Sequence, residues 1–481
     1  MRTIDTDVAI IGSGTAGMSA YRAAREHTAR VVLIESGPYG TTCARVGCMP
    51  SKLLIAAADA AHRARKAPVF GVHPGPLRID GGEVMQRVRS ERDRFVGFVV
   101  ETVEGWPAAD RVLGHARFVT PNELQIDDHT HVSAKRIVIA TGSAPYIPDG
   151  WREALGDRLL VNDDVFDWQT LPESVAVIGG GVIALELAQA LDRLDVRVRL
   201  LARRHRLGPL TDPALAARTL AIFTDELSVV EDATDIKPRR EANQVRLTYK
   251  DGEDGAAQEE VFDFVLAATG RRPRLDGLDL AAAGILGEGS GSPLFDRETG
   301  QIGESSVFIA GDVSNAHLLL HEAADDGRIA GDNAGRFPDV RVHPRRAPLA
   351  IVFTEPQMMI AGASHRSLRA AGTEFETGAA SFDDQGRSRV MAQNVGLLHV
   401  YGAHHTGRFL GAEMIGPAAE HLGHLLAWAV QQQMTVQQML DSPFYHPVIE
   451  EGLRTALREL NRQLRLGPPP VPRSMDCGPG A

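Results

Sequence analysis

Apolar runs bounded by glycines alternate with segments of helical periodicity along the first two thirds of the chain. Residues 7–11 and 31–34 are continuous apolar runs rich in β-branched side chains, which predict buried parallel strands. Residues 18–27 between them predict a helix. The same strand–helix–strand order recurs over residues 175–201, and it is the clearest internal repeat of the sequence. This order predicts an α/β fold built on parallel sheets.

The last third of the chain has a different pattern. Its strand candidates are shorter, its helix candidates are longer, and both are separated by polar turns. These candidates are residues 350–353, 397–401 and 409–414 for strands and residues 418–432 and 449–464 for helices. The change predicts a third domain of α+β type.

A glycine loop directly follows the first predicted strand. Gly12, Gly14 and Gly17 form a GxGxxG pattern before the helix, and Glu35 ends the second strand. In this setting the pattern is the fingerprint of a dinucleotide site, where a pyrophosphate lies over the helix N-terminus and the acid binds ribose hydroxyls. The alternative is a glycine-rich turn that binds no ligand.

A second fingerprint opens the repeated unit. Gly179 and Gly181 occupy the first two glycine positions, and Ala184 replaces the third glycine. Because a strand precedes the loop and a helix follows it, we predict a second dinucleotide module.

The position of the acid differs between the two modules. Glu35 lies 23 residues after Gly12, whereas the position 23 residues after Gly179 is Ala202, followed by Arg203, Arg204 and, after His205, Arg206. An acid would bind a free 2′-hydroxyl and repel a 2′-phosphate, so arginines without an acid favour NADP(H) over NAD(H). The alternative is a solvated turn.

Two cysteines lie five positions apart, at Cys43 and Cys48. Five residues of a regular helix rise about 7.5 Å, whereas the Cα atoms of a disulfide lie roughly 4.4–6.8 Å apart. A bridge therefore needs a bend, which Gly47 permits, and Pro50 suits the first turn of a following helix. We interpret the stretch as a redox-active disulfide at a helix N-terminus, where the helix dipole favours a thiolate. The alternative is a pair of unrelated buried cysteines.

Composition narrows the classes of function. The chain of 481 residues has a net charge of −11, which argues against a nucleic-acid groove or an anionic membrane surface as partner. Three cysteines are too few for a secreted disulfide scaffold. We see no signal peptide, no apolar run of about 20 residues and no convincing metal-ligand set, and we expect a cytoplasmic protein.

Together these motifs resemble the pyridine nucleotide–disulfide oxidoreductases, and within that family the dihydrolipoyl dehydrogenases. The resemblance runs from residue 6 to about residue 464. It rests on the two fingerprints and the C-x4-C-x-P-S-K stretch, and on turns and motifs containing Thr141, Gly142, Gly270, Gly311, Asp312, His446, Pro447 and Glu451.

The resemblance implies a fold of two Rossmann-like domains and a C-terminal α+β dimerisation domain. FAD would bind to residues 1–148 and 275–345, and the pyridine nucleotide to residues 149–274. Residues 346–466 would form the dimer interface, and residues 467–481 a flexible tail. The active protein would be a homodimer with active sites shared between subunits.

The resemblance also implies roles for single residues. Cys48 would lie over the flavin as the charge-transfer thiol, and Cys43 would exchange with the substrate disulfide. His446 of the partner subunit would be the general acid–base, oriented by Glu451. The remaining residues implied are an ion pair of Lys52 and Glu186 beside the flavin, Asp312 at the ribityl chain, the backbone of Leu320 and His321 at the flavin O2 atom, and the turns at Thr141, Gly142, Gly270 and Gly311.

Several features depart from the dihydrolipoyl dehydrogenases. Those enzymes usually carry an acid where Ala202 lies and a Thr where Val448 follows the His-Pro pair. A single Cys477 cannot reproduce the C-terminal cysteine pair of mercuric reductase.

The resemblance as a whole leads us to expect a dihydrolipoyl dehydrogenase that acts on lipoamide, alone or in a 2-oxo-acid dehydrogenase complex. The alternatives are an NADPH-dependent reductase of another disulfide, similar to glutathione reductase, and a non-catalytic flavoprotein subunit of a larger complex.

Overall fold

A computed structural model of the chain describes residues 1–286, 293–316 and 318–466. The predicted tail, with Cys477, lies outside the described residues. The strands are β1 Arg2–Ile11, β2 Val31–Glu35, β3 Arg111–Leu113, β4 Ala116–Thr120, β5 Glu123–Ile126, β6 Thr130–Ile139, β7 Ser143–Pro145, β8 Leu159–Leu160, β9 Ser174–Ile178, β10 Arg197–Leu201, β11 Val229–Val230, β12 Ala233–Glu241, β13 Gln244–Asp251, β14 Gln258–Phe262, β15 Phe264–Ala267, β16 Arg271–Pro273, β17 Val307–Ile309, β18 Leu349–Val352, β19 Gln357–Gly362, β20 Phe375–Ser381, β21 Leu397–Ala403 and β22 Phe409–Gly416.

Helices lie between these strands, together with short 3-10 turns. The α-helices are α1 Thr15–Arg25, α2 Thr42–Val46, α3 Cys48–Lys66, α4 Gly81–Glu104, α5 Trp151–Leu155, α6 Asn162–Val165, α7 Val182–Arg193, α8 Pro213–Glu226, α9 Leu320–Arg336, α10 His365–Ala370, α11 Gly386–Val390, α12 Ala419–Gln431, α13 Val436–Leu440 and α14 Glu450–Leu464.

The first sheet has the order β3-β2-β1-β6-β5-β4, and β17 also pairs with β6. β1 pairs in parallel with both β2 and β6, and β17 runs parallel to β6. The chain therefore leaves this sheet, forms the second module and returns to the first sheet near residue 307. The residue bounds given above for the two dinucleotide domains stay a prediction.

The second sheet has the order β11-β10-β9-β15-β8 and is parallel throughout. An antiparallel sheet of β12, β13 and β14 extends from it, and the sequence analysis did not identify these strands. β12 is mostly polar and has only one buried residue, so hydrophobicity gives little sign of it. Apolar or aromatic residues, which are buried, alternate with polar residues along most of β13. This alternation in the sequence is the signal that could have revealed the hairpin of β12 and β13.

The third sheet, in the order β18-β19-β22-β21-β20, is antiparallel. Residues of α12 and α14 join those of its strands in one buried hydrophobic cluster. This arrangement confirms the α+β prediction for the last third of the chain, and the parallel sheets confirm the α/β prediction for the rest.

Several helices begin earlier than the sequence pattern predicted. α1 begins at Thr15 rather than at residue 18, and α3 begins at Cys48, whereas the alanine-rich helical pattern of the sequence begins at residue 53. Both helices follow a glycine at the N-cap position, and their first turns carry small or polar residues that hydrophobic periodicity does not detect. None of the described helices is both long enough and apolar enough to cross a membrane.

Helices α1 and α9 approach each other closely enough for backbone contact. A Cβ atom on Gly327 would lie 2.1 Å from the Ala16 carbonyl oxygen, and one on Gly331 would lie 2.3 Å from the Ala20 carbonyl oxygen. Real Cβ atoms do not reach such distances, so only glycine fits at both positions. This contact holds the first glycine loop, at the start of α1, against the helix that follows Asp312.

We expect Gly331→Ala to destabilise the protein by about 1–3 kcal/mol because the added methyl group would force α1 and α9 apart. Gly97→Ala is the matched control, since a Cβ atom on this helical glycine of α4 would meet no atom within 4 Å. That change should be neutral or stabilise by up to about 1 kcal/mol. Chemical unfolding followed by circular dichroism measures both, and equal effects would contradict the close packing.

Candidate active site

One cavity of about 490 Å³ brings together residues that the sequence analysis drew from distant motifs. It lies between the first glycine loop, the cysteine stretch, the start of α7 and the start of α9. Among its lining residues are the predicted site residues Gly14, Cys43, Cys48, Lys52, Gly142, Glu186, Asp312, Leu320 and His321. The fold thus gathers most of the predicted flavin and thiol residues in one place.

The first glycine loop has the shape of a pyrophosphate cradle. A Cβ atom on Gly12 would lie 2.3 Å from the Ala140 carbonyl oxygen, and one on Gly17 would lie 1.8 Å from the Gly12 carbonyl oxygen. A Cβ atom on Gly14 would meet no atom within 4 Å, and Gly14 is the N-cap of α1 without a side chain to cap it. The N-terminus of α1 therefore opens to the space in which a pyrophosphate would lie.

Glu35 stands at the carboxyl end of β2, beside that loop. Its Oε2 atom accepts hydrogen bonds from the Ser13 backbone N–H at 2.7 Å and from the Ser13 hydroxyl at 2.8 Å. Its Oε1 atom accepts one from the Gly37 N–H at 2.9 Å. These donors fix a carboxylate whose remaining lone pairs suit ribose hydroxyls.

Asp312 lies in the 3-10 turn that follows β17. Its carboxylate accepts a hydrogen bond from the Ser143 hydroxyl at 2.9 Å, and the Ser143 oxygen accepts one from the Arg271 Nε atom at 2.8 Å. The Gly311 N–H donates to Asp326 at 3.2 Å. Sequence reasoning did not identify Ser143 or Arg271 as supports of this acid, because they come from β7 and β16, two strands that pair antiparallel although they are distant in the sequence.

The two Ala-Thr-Gly turns have similar anchors. The Thr141 hydroxyl donates to the Arg274 carbonyl oxygen at 2.6 Å, and Thr269 donates to the Tyr146 carbonyl oxygen at 2.7 Å. Gly142 and Gly270 have φ angles of +71° and +123°, which favour glycine. With the cradle at Gly14, the turn at Gly142 and the Asp312 carboxylate fit an FAD molecule.

The two cysteines lie on either side of a break between helices. Cys43 belongs to α2, Cys48 is the first residue of α3, and the break falls at Gly47, as the spacing predicted. A Cβ atom on Gly47 would lie 3.0 Å from the Thr42 carbonyl oxygen. Both cysteines are free thiols here rather than the predicted disulfide, which corresponds to the reduced form of the pair.

The two thiols have opposite electrostatic environments. A hydrogen bond from Cys43 and the nearby Lys52 ammonium lower the pKa of Cys48 to about 7, against the opposing effects of burial and Glu186. The hydrogen bond to Cys48, together with burial, raises the pKa of Cys43. The pair therefore favours a Cys48 thiolate that accepts a hydrogen bond from a Cys43 thiol.

Lys52 and Glu186 form the predicted ion pair. The Lys52 Nζ atom lies 2.7 Å from the Glu186 Oε2 atom, and Glu186 is only 6% exposed. The other Glu186 oxygen accepts the backbone N–H of Phe353 at 2.9 Å, and the Lys52 Nζ atom lies 4.7 Å from the centre of the Phe353 ring. Phe353, which the sequence analysis did not single out, is thus part of the surroundings of the ion pair.

His446 and Glu451 contact each other at the start of α14. The His446 Nδ1 atom lies 3.0 Å from the Glu451 Oε1 atom, although no regular helix would allow this at a spacing of five. His446 precedes the helix, whereas Glu451 lies in its first turn and also accepts from Arg454 at 3.0 Å. The His446 side chain is 58% exposed and is not among the residues that line the thiol cavity.

A second cavity, of about 390 Å³, lies at the second glycine loop. Gly179, Gly181, Gly270, Arg203 and Arg206 are among its lining residues. A Cβ atom on Gly181, the N-cap of α7, would meet no atom within 4 Å, and Ala184 is buried one turn further on.

Of the two arginines predicted to bind the nucleotide, Arg203 and Arg204, only Arg203 is among the residues that line this cavity. Arg203 lines the cavity together with Arg206, whereas Arg204 is not among the lining residues. Arg204 has a φ angle of +58°, and its backbone N–H donates to the Asp232 carboxylate at 2.7 Å. Ala202 is fully buried.

Comparison with known proteins agrees with this geometry. The sequence matches the family described as pyridine nucleotide-disulphide oxidoreductase over residues 6–327 and the dimerisation domain of that family over residues 349–457. Mercuric reductase from Shigella flexneri is 32% identical over 471 residues, covering 95% of this chain and 81% of that protein. Dihydrolipoyl dehydrogenase from Thermus scotoductus is 28% identical, covering 95% of this chain and 98% of that protein.

A solved structure is similar over nearly the whole chain. LpdA from Mycobacterium tuberculosis superposes with a TM-score of 0.79 at 25% identity, covering 95% of this chain and 99% of that one. The fold and the site together define a flavoprotein with two dinucleotide modules and a pair of neighbouring thiols. The chain belongs to the pyridine nucleotide-disulphide oxidoreductase family. It is therefore an FAD-dependent oxidoreductase that uses a pyridine nucleotide.

We expect Lys52→Met to raise the pKa of Cys48 by about one unit, because the variant removes the ammonium beside the thiolate. In the unchanged protein the thiolate predominates above pH 7 and is lost as the pH falls below it. In the variant the loss begins at higher pH. The pH dependence of iodoacetamide alkylation at Cys48, followed by mass spectrometry of the peptide, measures this.

The control for this prediction is Lys66→Met, at the opposite end of α3. It removes the same charge from the same helix and should leave the titration of Cys48 in place. Equal shifts in both variants would contradict a specific effect of Lys52.

Proposed function

We propose that this protein is a dithiol–disulfide oxidoreductase of the dihydrolipoyl dehydrogenase type, which passes electrons between lipoamide and a pyridine nucleotide through Cys43 and Cys48. The observation that carries the proposal is the pair of neighbouring thiols with opposite pKa shifts, in the cavity that also contains the predicted flavin residues. Disulfide exchange needs one stable thiolate and one thiol that can exchange protons, and this pair provides both.

In the direction of dihydrolipoamide oxidation, the reaction consists of two thiol–disulfide exchange steps. A substrate thiolate attacks the sulfur of Cys43 in the oxidised pair, and Cys48 leaves as a thiolate, which Lys52 stabilises. The second substrate thiolate attacks the substrate sulfur of this mixed disulfide and releases Cys43. The substrate is then a disulfide, and the cysteine pair carries its two electrons. When bound, FAD supplies the two-electron chemistry between the cysteine pair and the nicotinamide ring.

A base must accept the protons of the substrate thiols. We assign this role to His446 of the partner subunit, since His446 is exposed and lies outside the thiol cavity of its own chain. The buried Glu451 carboxylate accepts a hydrogen bond at the His446 Nδ1 atom, which fixes the tautomer and leaves Nε2 free to take a proton. This assignment requires a homodimer, and the match of residues 349–457 to a dimerisation domain supports it.

A second candidate is an NADPH-dependent reductase of a different disulfide. It is favoured by the cavity of the second module, where Arg203 and Arg206 stand near the buried Ala202. Burial and the neighbouring Arg366 lower the pKa of Arg206, so an added phosphate would stabilise its charge. We therefore propose NADP(H) as the preferred nucleotide.

Association with a 2-oxo-acid dehydrogenase complex and a cytoplasmic location stay predictions from the sequence.

The decisive experiment measures steady-state turnover of lipoamide with NAD(H) and with NADP(H) in parallel. We expect lipoamide turnover that Cys43→Ser abolishes while FAD is retained. Arg206→Ser should raise the KM for NADP(H) roughly tenfold or more, since one charged hydrogen bond contributes about 1.5–3 kcal/mol. Its effect on the KM for NAD(H) should be small.

Other outcomes would correct the proposal in specific ways. Preference for NADP(H) with negligible lipoamide turnover would favour the second candidate. Fast turnover with NAD(H) alone would refute the role of the arginines. Arg204→Ser should have a smaller effect than Arg206→Ser, because Arg204 does not line the cavity.

We expect His446→Gln to lower kcat for dihydrolipoamide oxidation by about 100-fold or more, because a general base contributes about 10²–10⁴-fold. Reduction of the bound flavin by the pyridine nucleotide needs no base at this position and should continue. Stopped-flow kinetics separate the two half-reactions. Unchanged kcat at every pH would contradict the shared active site.

A further inference from the structure

Two ion pairs join helices α3 and α7 at points that have the same spacing along each helix and inverted charge. Near the thiols, Lys52 of α3 lies 2.7 Å from Glu186 of α7. Seven residues further along both helices, Asp59 of α3 lies 3.3 Å from Arg193 of α7. Seven residues of a helix rise about 10.5 Å, so the two helices run in the same direction with matched register. We call the contact at Asp59 and Arg193 the distal clamp.

A short segment between β18 and β19 binds to both points. The Phe353 N–H donates to Glu186 at 2.9 Å. The Glu355 N–H donates to the Gln189 side-chain oxygen at 2.9 Å, and the Gln189 amide donates back to the Glu355 carbonyl oxygen at 2.7 Å. Arg193 contacts the same carbonyl oxygen at 3.0 Å and the Glu355 carboxylate at 3.1 Å. One face of α7 is thus bound to the segment by three polar residues in succession.

These residues are buried. Glu186, Gln189 and Arg193 are 6%, 4% and 4% exposed. Burying polar and charged groups on a helix costs free energy that an apolar face would avoid, unless each group finds partners of good geometry. The Arg193 guanidinium has such partners, since it also contacts the Glu226 carboxylate at 2.7 Å. A guanidinium that binds several carboxylates in a fixed fork specifies position more strictly than apolar packing does.

We propose that Arg193 is a positioning residue that sets the register of α3 against α7. It thereby keeps the Lys52 side chain on Glu186, in the position from which its ammonium also interacts with Cys48. The inference rests on the proposed redox role of Cys48. α3 carries Cys48, Lys52 and Asp59 in one rigid helix, so a shift of its distal end moves the ammonium relative to Glu186. The distal clamp prevents that shift, because Arg193 of the second dinucleotide module holds Asp59 in place.

Charged groups from several elements surround the two points, and Asp59 also faces Arg63. Cys48 faces Cys43 of α2, Lys52 of α3 and Glu186 of α7. Arg193 faces Asp59, Glu226 and Glu355. His62 and Asp192 are also close enough to interact electrostatically with Arg193. Burial and Arg193 lower the pKa of His62 to about 4, so that His62 is neutral near pH 7 and does not compete for the carboxylates.

The test is Asp59→Asn, which changes only the α3 side of the distal clamp and leaves Arg193 with Glu226 and Glu355. Burial and Glu355 raise the pKa of Asp59, and the amide has the shape of its protonated form. We expect the pH midpoint of the thiolate–flavin absorption of the reduced holoenzyme to rise by about half a unit. The kcat should fall, while the KM for the disulfide should stay unchanged.

The matched control is Asp195→Asn. Asp195 pairs with Arg65 of α3 at 2.6 Å, but this contact is exposed, and exposed ion pairs contribute little. Asparagine tolerates the φ angle of +64° at this position. This variant should leave the midpoint where it is. Arg193→Lys, which keeps the charge and loses the fork, should shift the midpoint in the same direction as Asp59→Asn.

The double variant Lys52→Met/Asp59→Asn decides how the distal clamp acts. If it acts through Lys52, the double variant has the same midpoint as Lys52→Met alone. An unchanged midpoint in Asp59→Asn, or a shift that persists undiminished without Lys52, would overturn the inference. If the unchanged reduced protein shows no thiolate–flavin absorption at any pH, the proposed function itself fails, and the inference fails with it.

Discussion

The ion pair of Lys52 and Glu186 is the contact on which the arrangement of the site depends. Lys52 lies one turn after the thiolate of Cys48 on α3, and Glu186 lies one turn after the glycine loop of the second module on α7. Phe353 adds a backbone hydrogen bond from the third part of the chain. A charge that lowers the pKa of one thiol is therefore held by an element from each of the three parts, and the thiol chemistry requires all three to be assembled.

Much of this could be predicted from sequence because glycine loops and cysteine spacings are local. Gly12 and Gly17 sit at positions where backbone contact requires glycine, and Gly14 leaves the space beside the N-terminus of α1 open. The break at Gly47 followed from the length of five helical residues. The contact of His446 with Glu451 was implied by the family resemblance, and Pro447 between them permits it. In each case the geometry depends on a few neighbouring residues, so the sequence pattern contains it.

The remaining features depend on contacts between distant segments. Nothing near Ser143 indicates that it supports Asp312, because that contact forms only when β7, paired with the distant strand β16, lies beside the end of β17. The choice of Arg206 rather than Arg204 depends on a turn in which Arg204 adopts a positive φ angle. Hydrophobic periodicity also placed the starts of α1 and α3 too late, since the first turns of these helices carry few large apolar residues.

The polar face of α7 limits how the second module can be exchanged between related proteins. The second module has its own sheet and its own glycine loop, which makes it look interchangeable between relatives. Yet Gln189 and Arg193 bind the backbone and side chain of Glu355, which lies in another part of the chain. A replacement module would have to bring a matching partner at position 355. These positions should therefore vary together among relatives, and chimeras that exchange the module alone should assemble poorly.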